Sequence, residues 1–313
     1  MSDNLSLIDT LQRASLGGFS SGISSAILNP IDVTKIRLQN QTCGMVMEGI
    51  PQYSGLVDGL GKIFRAEGIR GLFRGMEPSM YREMTYSSCR MGAYEPIRGV
   101  VLSLTSNKNV SKEDVPIYVK YVSGMLSGGI GSAICNPFDL VKTRFQAEFP
   151  KQKPLPYDNT FQAFKYIYKF EGGFNGLYKA WQMTCGRAAF LTSGQLGSYD
   201  TIKNNLLIQK FGMNEKKNGF LLHIVSAMSA SIVATTAANP CDVIKSRYMS
   251  DGMEGRPKIY KSVTHCISET FRVDGIKGFL KGWTASYWRI GPHTIISLIL
   301  FEKTRNIFGF KSI

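Results

Sequence analysis

The apolar positions of this chain fall in short runs that glycine, serine and alanine interrupt, as in residues 15–29 (SLGGFSSGISSAILN). The spacing is helical: Gly18 and Gly22 lie four residues apart and therefore on one face of a helix. Small residues at this spacing let two helices pack closely in lipid. A clean run of about twenty apolar residues, the usual hydropathy signal of a membrane span, does not occur.

Shorter segments between these long ones have one apolar face. Leu56, Leu60 and Ile63 share a face of one predicted helix, and Val263 and Ile267 share a face of another. A helix of this kind can lie in the plane of a membrane interface rather than cross it. The order of long helix, amphipathic helix and long helix occurs three times, which predicts three similar units.

A charged motif marks the end of the first long helix in each unit. The sequence reads PIDVTKIRLQ at 30–39, PFDLVKTRFQ at 137–146 and PCDVIKSRYM at 240–249. The shared pattern is P-x-D-x-x-K-x-R, and its copies are roughly a hundred residues apart. Each proline lies inside a helical pattern and is expected to kink it.

Two further patterns recur in the same order. A base–small residue motif that follows an acidic–Gly pair reads Phe73-Arg74-Gly75, Tyr178-Lys179-Ala180 and Leu280-Lys281-Gly282. An aromatic–acid–x–x–base motif closes each unit, beginning at Tyr94, Tyr199 and Phe301. Three patterns in three ordered copies predict helical modules around a pseudo-threefold axis.

With these motifs the chain resembles the mitochondrial carrier family, whose signature is P-x-[D/E]-x-x-[K/R]-x-[K/R], over about residues 11–310. The resemblance implies an all-α membrane protein: six transmembrane helices plus three short matrix helices in a pseudo-threefold barrel around a central cavity. The repeats would span 11–105, 116–208 and 218–310. It also implies a functional monomer in the mitochondrial inner membrane, with both termini towards the intermembrane space.

The resemblance gives the charged motifs the role of gates, because charges inside a membrane normally pair or face a cavity. It implies a matrix gate in which each aspartate pairs with the lysine of the next unit: Asp32–Lys142, Asp139–Lys245 and Asp242–Lys35. Gln39 and Gln146 match the family's bracing glutamine, whereas Met249 replaces the third and is expected to weaken one edge.

A second gate is implied on the cytoplasmic side. Its members would be the acids and bases of the closing motif: Glu95, Arg98, Asp200, Lys203, Glu302 and Arg305. Two rings that cannot both be complete form the bistable element that alternating access requires.

The resemblance also implies bound cardiolipin, where the second long helices begin and free N–H groups favour phosphate. The residues concerned are Arg74, Gly75, Lys179, Lys281 and Gly282, and Ala180 departs from the pattern. Cardiolipin would be a structural lipid; no other cofactor and no metal is expected. The six cysteines form no CxxC pair, and no histidine has zinc-ligand spacing.

The repeat locates a candidate substrate site. The position twelve residues before the closing aromatic is Arg82, Arg187 and Arg289 in the three units. Guanidinium groups bind carboxylates through two parallel hydrogen bonds, and leaving three such charges unpaired in a cavity would be unfavourable. We therefore expect an anionic substrate.

One unit breaks the symmetry. Arg82, Tyr86 and Arg90 share a helical face, whereas the equivalents of Arg90 are Gln195 and Ser297. Two cationic groups at different depths suit a substrate with two acidic ends. The pattern is similar to the branch that holds the dicarboxylate, oxoglutarate and oxaloacetate carriers and the uncoupling proteins, although Glu83 stands where oxoglutarate-type carriers tend to have Gln.

Charge supports the anion hypothesis. The chain has 37 Lys and Arg against 23 Asp and Glu, a net charge of +14, which favours a nucleic acid, an anionic membrane or a negatively charged substrate. The basic residues follow the repeat instead of forming a patch, which argues against nucleic acid. No arrangement of nucleophile and base indicates an enzyme. The leading hypothesis is an exchanger of dicarboxylates or oxoacids; the alternative is an uncoupling-protein-like proton or anion leak.

Overall fold

The computed structural model describes residues 2–41, 52–105, 116–148, 155–202, 215–253 and 258–307. Within these ranges the chain forms twelve helices and no strand. The helices are α1 (Ser2–Ile27), α2 (Asn29–Asn40), α3 (Leu56–Leu72), α4 (Met76–Leu104), α5 (Ile117–Ile134), α6 (Asn136–Ala147), α7 (Thr160–Phe170), α8 (Phe174–Leu177), α9 (Trp181–Thr201), α10 (Glu215–Ser250), α11 (Val263–Gly278) and α12 (Trp283–Ile307).

The motif prolines interrupt the first long helix in two of the three units. The chain breaks at Leu28 between α1 and α2, and at Cys135 between α5 and α6, so that Pro30 and Pro137 lie in the first turn of a new helix. Proline is tolerated there because the N–H that it lacks has no partner in the helix. In the third unit, α10 continues through Pro240.

The long helices form a closed ring. Around the barrel α1 packs against α4, α4 against α5, α5 against α9, α9 against α10, α10 against α12, and α12 against α1. At the end that the resemblance assigns to the matrix, α2, α6 and the last turns of α10 also contact one another. Among the described residues, no helix combines the length and the apolar character of a conventional membrane span.

Small residues allow α1 and α4 to approach closely. A Cβ atom built on Gly18 would lie 2.9 Å from the carbonyl oxygen of Met84 and 2.5 Å from Ser88 Oγ. One built on Gly22 would lie 2.8 Å from Met84 Cγ. Because the first of these neighbours is backbone, the close approach at Gly18 requires glycine.

Arginine–acid pairs attach each short helix to the preceding charged motif. The arginine of the P-x-D-x-x-K-x-R motif contacts the acid of the acidic–Gly pair in the same unit: Arg37–Glu67, Arg144–Glu171 at 2.5 Å and Arg247–Asp274 at 2.6 Å. All three arginines are buried. The glycine that follows the acid has a positive φ in all three units: 66° at Gly68, 91° at Gly172 and 61° at Gly275.

Buried asparagines make a second threefold attachment that the sequence analysis did not single out. The residue before each motif proline is Asn29, Asn136 or Asn239, and each is fully buried. Its amide Nδ2 donates to two carbonyl groups, one at the end of the short helix and one two residues later, such as those of Leu72 and Arg74. The signal was present, since asparagine precedes the proline in all three copies.

Gly18→Ala tests the close contact between α1 and α4. The added methyl group would lie against the Met84 carbonyl, so we expect a loss of about 1–3 kcal/mol in the free energy of unfolding. The measurement is thermal unfolding of the detergent-purified protein. Gly99→Ala, in α4 at a position with open space around the Cβ, serves as control and is expected to leave the midpoint unchanged or raised. Equal midpoints for the two variants would contradict the assignment.

Asp274→Asn tests the arginine–acid attachment. The side chain of Asp274 is 1% exposed and contacts both Arg247 and Lys281. The substitution leaves the buried Arg247 without its carboxylate and should destabilise by about 3 kcal/mol. Glu269→Gln on the same helix removes the partner of the exposed Arg272 and should change stability by less than about 0.5 kcal/mol. Urea or thermal unfolding compares the two; a matching loss in both variants would refute the attachment.

Candidate functional site

The three lysines of the charged motif reach the aspartates of neighbouring units. Lys142 Nζ lies 2.6 Å from Asp32 Oδ2, and Lys35 Nζ lies 2.6 Å from Asp242 Oδ2. The third pair, Lys245 Nζ and Asp139 Oδ2, is 2.8 Å apart. These are the pairs that the resemblance implied. All six side chains are buried, and they join α2, α6 and α10 at this end.

Each of these aspartates also binds one of the three candidate substrate arginines. Arg289 Nε lies 2.5 Å from Asp32 Oδ1, and Arg82 Nε lies 3.0 Å from Asp139 Oδ1. The third contact joins Arg187 Nε and Asp242 Oδ1. We call these lysines, aspartates and arginines, with Glu83, the central charge layer. The sequence analysis expected a substrate anion to neutralise these arginines; in this structure the gate aspartates contact them instead.

The aspartates therefore bridge all three units. Asp32 of the first unit binds Lys142 of the second and Arg289 of the third, and the other two aspartates repeat this arrangement cyclically. The sequence analysis treated the gate and the substrate site as separate. The structure joins them in one layer, since each carboxylate uses one oxygen for the lysine and the other for the arginine.

Glu83 is a fourth acid in the layer. Its Oε1 accepts hydrogen bonds from Arg82 Nη1 at 2.6 Å and from Arg289 Nη2 at 2.5 Å. The residue is 3% exposed. The sequence analysis noted it as a departure from related carriers and did not place it in the site. The sequence did contain a signal for it, because Glu83 is next to Arg82 inside a predicted membrane helix. An ionisable residue in such a helix is normally functional.

The space between these groups is small. The gate residues and the three arginines line a cavity of about 50 Å³, well below the roughly 300 Å³ at which ligand pockets usually begin. In this conformation the internal ion pairs fill the site. A carboxylate ligand would therefore have to displace some of them.

Tyr86 and Arg90 extend the site away from the central charge layer. The guanidinium carbon of Arg82 lies 4.8 Å from the centroid of the Tyr86 ring, and that of Arg90 lies 5.7 Å from it. Arg82 is 4% exposed, whereas Arg90 is exposed. The three residues thus form a cationic and aromatic path from solvent to the buried layer along one face of α4.

The two glutamines connect neighbouring units beside the gate. Gln146 Nε2 donates to Asn29 Oδ1 at 2.9 Å, and Gln39 Oε1 accepts from Ser246 Oγ at 3.1 Å. At the third edge Met249 offers only its sulfur, which lies 3.7 Å from the Thr143 hydroxyl. A thioether is a weak acceptor, so the contact at this edge is weaker than at the other two.

The cytoplasmic residues are described only in part. Arg98 Nη2 lies 2.5 Å from Glu95 Oε2, a contact within α4 and not between units. The side chains of Asp200, Glu302 and Arg305 are outside the described part of the structure, and Lys203 lies outside the described residues altogether. The cytoplasmic ring therefore stays a prediction.

The basic residues of the candidate lipid sites have internal partners. Arg74 Nη2 lies 2.5 Å from Glu148 Oε2, and Lys281 Nζ donates to Gln41 O and to Asp274 Oδ1, both at 2.9 Å. The backbone is arranged as expected: Gly75 and Gly282 have φ of 69° and 72° immediately before α4 and α12. A cavity of about 230 Å³ lies between residues 53–56 and 280–285.

Lys179 has a different environment. Its Nζ donates to Asp251 O at 2.6 Å and lies 4.9 Å from the centroid of the Tyr248 ring. Burial lowers the pKa of Lys179 to about 8, and the nearby Arg144 guanidinium acts in the same direction. The adjacent Ala180 has φ of 63°, a conformation that normally favours glycine. The second unit is thus the least suited of the three to hold a phosphate.

Comparison with known proteins shows the family. The family model described as "Mitochondrial carrier protein" matches residues 7–103, 113–210 and 216–312. A mitochondrial substrate carrier family protein of Dictyostelium discoideum, ucpB, is 39% identical over 95% of this chain and 96% of its own length. A probable mitochondrial 2-oxoglutarate/malate carrier protein of the same organism is 34% identical (96% and 91%). Mitochondrial uncoupling protein 2 of Arabidopsis thaliana is 30% identical (96% and 95%). The chain belongs to the mitochondrial carrier protein family, whose members are transporters and not enzymes.

Proposed function

We propose that the protein exchanges small dicarboxylates or oxoacids across the mitochondrial inner membrane by alternating access. The observation that carries the proposal is the sharing of three buried aspartates between the gate lysines and the three arginines. Arginine binds carboxylates through paired hydrogen bonds, so an anion that reaches the layer competes directly with the aspartates.

This competition couples binding to opening. When a substrate carboxylate takes a guanidinium, the aspartate loses one of its two cations and its lysine pair loses a neighbour that helped to hold it. The closed matrix gate becomes less stable relative to the open one. A ligand shifts a conformational equilibrium only through such differential contacts with the two states. The cytoplasmic ring around Glu95 and Arg98 would form as the matrix gate opens.

Two further features support the substrate class. The path through Arg90, Tyr86 and Arg82 offers cationic contacts at two depths, which fits a molecule with a carboxylate at each end. Among the similar proteins is one named as a 2-oxoglutarate/malate carrier. The similarity to a protein named as an uncoupling protein makes a leak the competing outcome of the transport assay.

Membrane placement is part of the proposal. The end that carries Asp32, Asp139 and Asp242 would face the matrix, both termini would face the intermembrane space, and one chain would be the functional unit. Cardiolipin would bind where α3 and α12 begin around the cavity at Gly282, because two helix N-termini there offer free N–H groups to phosphate.

Arg187→Ala tests the substrate site. The purified protein in liposomes should take up labelled malate or oxoglutarate only when a counter-anion is inside. The variant should lose at least about 100-fold in uptake rate, since a charge-assisted contact made by the transported anion is removed. Arg272→Ala, at an exposed arginine on α11, is the control and should transport normally.

The transport assay separates the alternatives. Uptake without internal anion would favour a leak over exchange. Absence of uptake for every organic and inorganic anion would refute the transport proposal, and normal uptake by Arg187→Ala would refute the site.

Thr284→Glu tests the lipid site. Thr284 lines the cavity in the first turn of α12, where a carboxylate would take the place of a phosphate and repel another. Cardiolipin should raise the unfolding midpoint of the wild-type protein more than phosphatidylcholine does, and this increase should be smaller in the variant. Thr264→Glu, outside the cavity, should respond like the wild type; an unchanged response of Thr284→Glu would exclude this location.

A further inference from the structure

We infer that Glu83 is a specificity-determining residue that limits the transported anion to two negative charges. The inference rests on the proposed function, since it concerns which anion the same arginine site accepts. Glu83 would act as an internal carboxylate that holds two of the three arginines and leaves the layer with a charge that a dianion neutralises.

Glu83 contacts the arginines in the way that is expected of a substrate carboxylate. A single oxygen, Oε1, accepts from Arg82 Nη1 at 2.6 Å and from Arg289 Nη2 at 2.5 Å. Arg82 and Arg289 come from different units, on α4 and α12, so Glu83 joins two helices between which α1 lies in the ring. With 3% exposure, Glu83 is screened little by solvent, and its charge acts on the whole layer.

The other units have no equivalent of this acid. The corresponding positions, one residue after Arg187 and Arg289, are Ala188 and Ile290. Among the residues that the structure describes, Arg187 contacts one carboxylate, that of Asp242, whereas Arg82 and Arg289 each contact an aspartate and Glu83. The site is asymmetric: Arg187 is the guanidinium that Glu83 does not occupy.

The charge balance of the layer indicates the valence of the substrate. Three gate lysines and three arginines face three gate aspartates and Glu83, which leaves a surplus of two positive charges. A dicarboxylate brings this buried cluster to neutrality. A third carboxylate would add an unbalanced negative charge beside four internal acids, and like charges in a desolvated site are strongly unfavourable.

Glu83→Gln keeps the size and the hydrogen-bonding oxygen of the side chain and removes only its charge. The surplus then becomes three positive charges, which suits a trianion. The other charged groups of the central charge layer, including Lys142 and Arg289, keep their charge in this variant. Glu83→Asp keeps the charge and should keep the selectivity of the wild type.

The experiment compares two acids that differ by one carboxylate, glutarate and tricarballylate, as competitors of labelled glutarate uptake in proteoliposomes at neutral pH. Wild-type protein and Glu83→Asp should prefer glutarate. Glu83→Gln should shift the ratio of the two inhibition constants towards tricarballylate by about tenfold or more. Glu269→Gln, which removes a carboxylate from an exposed arginine contact, should leave the ratio at the wild-type value.

The outcomes are distinguishable. An active Glu83→Gln protein with the wild-type ratio would overturn the inference and leave the proposed function intact. If the wild type takes up neither acid, the proposed function fails for dicarboxylates. Should Glu83→Gln bind without transporting, the concentration of each acid needed to raise its unfolding midpoint in detergent gives the same ratio by linkage, and an unchanged ratio there likewise overturns the inference.

Discussion

The interior of this barrel is constrained by the need to neutralise buried charge. Six cations and four carboxylates meet where α2, α6 and the last turns of α10 converge. An unpaired charge in such a place is costly, so every basic group of the layer contacts an acid. The helix geometry serves this requirement: the breaks at Leu28 and Cys135 turn α2 and α6 inward, and the buried asparagines and arginine–acid pairs hold the short helices against them.

Much of this arrangement could be predicted from the sequence because the threefold repeat specifies which residues are equivalent. Equivalence was enough to group Arg82, Arg187 and Arg289, and the resemblance supplied the partners Asp32–Lys142, Asp139–Lys245 and Asp242–Lys35. Equivalence does not give depth along the barrel axis. The contacts between arginine and aspartate depend on the position of α4, α9 and α12 along the barrel axis. This position is set by tertiary packing such as that at Gly18.

The repeat also contained recurring residues whose structural role could not be inferred from the sequence. Asparagine before each proline, and an acid before each glycine, recur as regularly as the gate residues, yet a single sequence gives no reason to connect them to loop carbonyls or to a buried arginine. The departures from symmetry were informative in a different way. Ala180 and Met249 replace the expected glycine and glutamine, and both belong to one buried cluster between the second and third units. These two departures from the repeat are far apart along the chain but lie at the same contact between two units.

The gate aspartates, which each contact one lysine and one arginine, affect how the three repeats tolerate substitution. Each acid contacts a base from each of the other two units, whereas each gate lysine makes one contact with a gate aspartate. Substitution of a gate lysine removes one ion pair between units, but substitution of a gate aspartate removes two. Acidic positions should therefore drift more slowly than basic ones over evolutionary time, and a fragment of two repeats would have aspartates that lack one of their cations. Closure of the ring is thus an electrostatic requirement as well as a matter of the shape of the barrel.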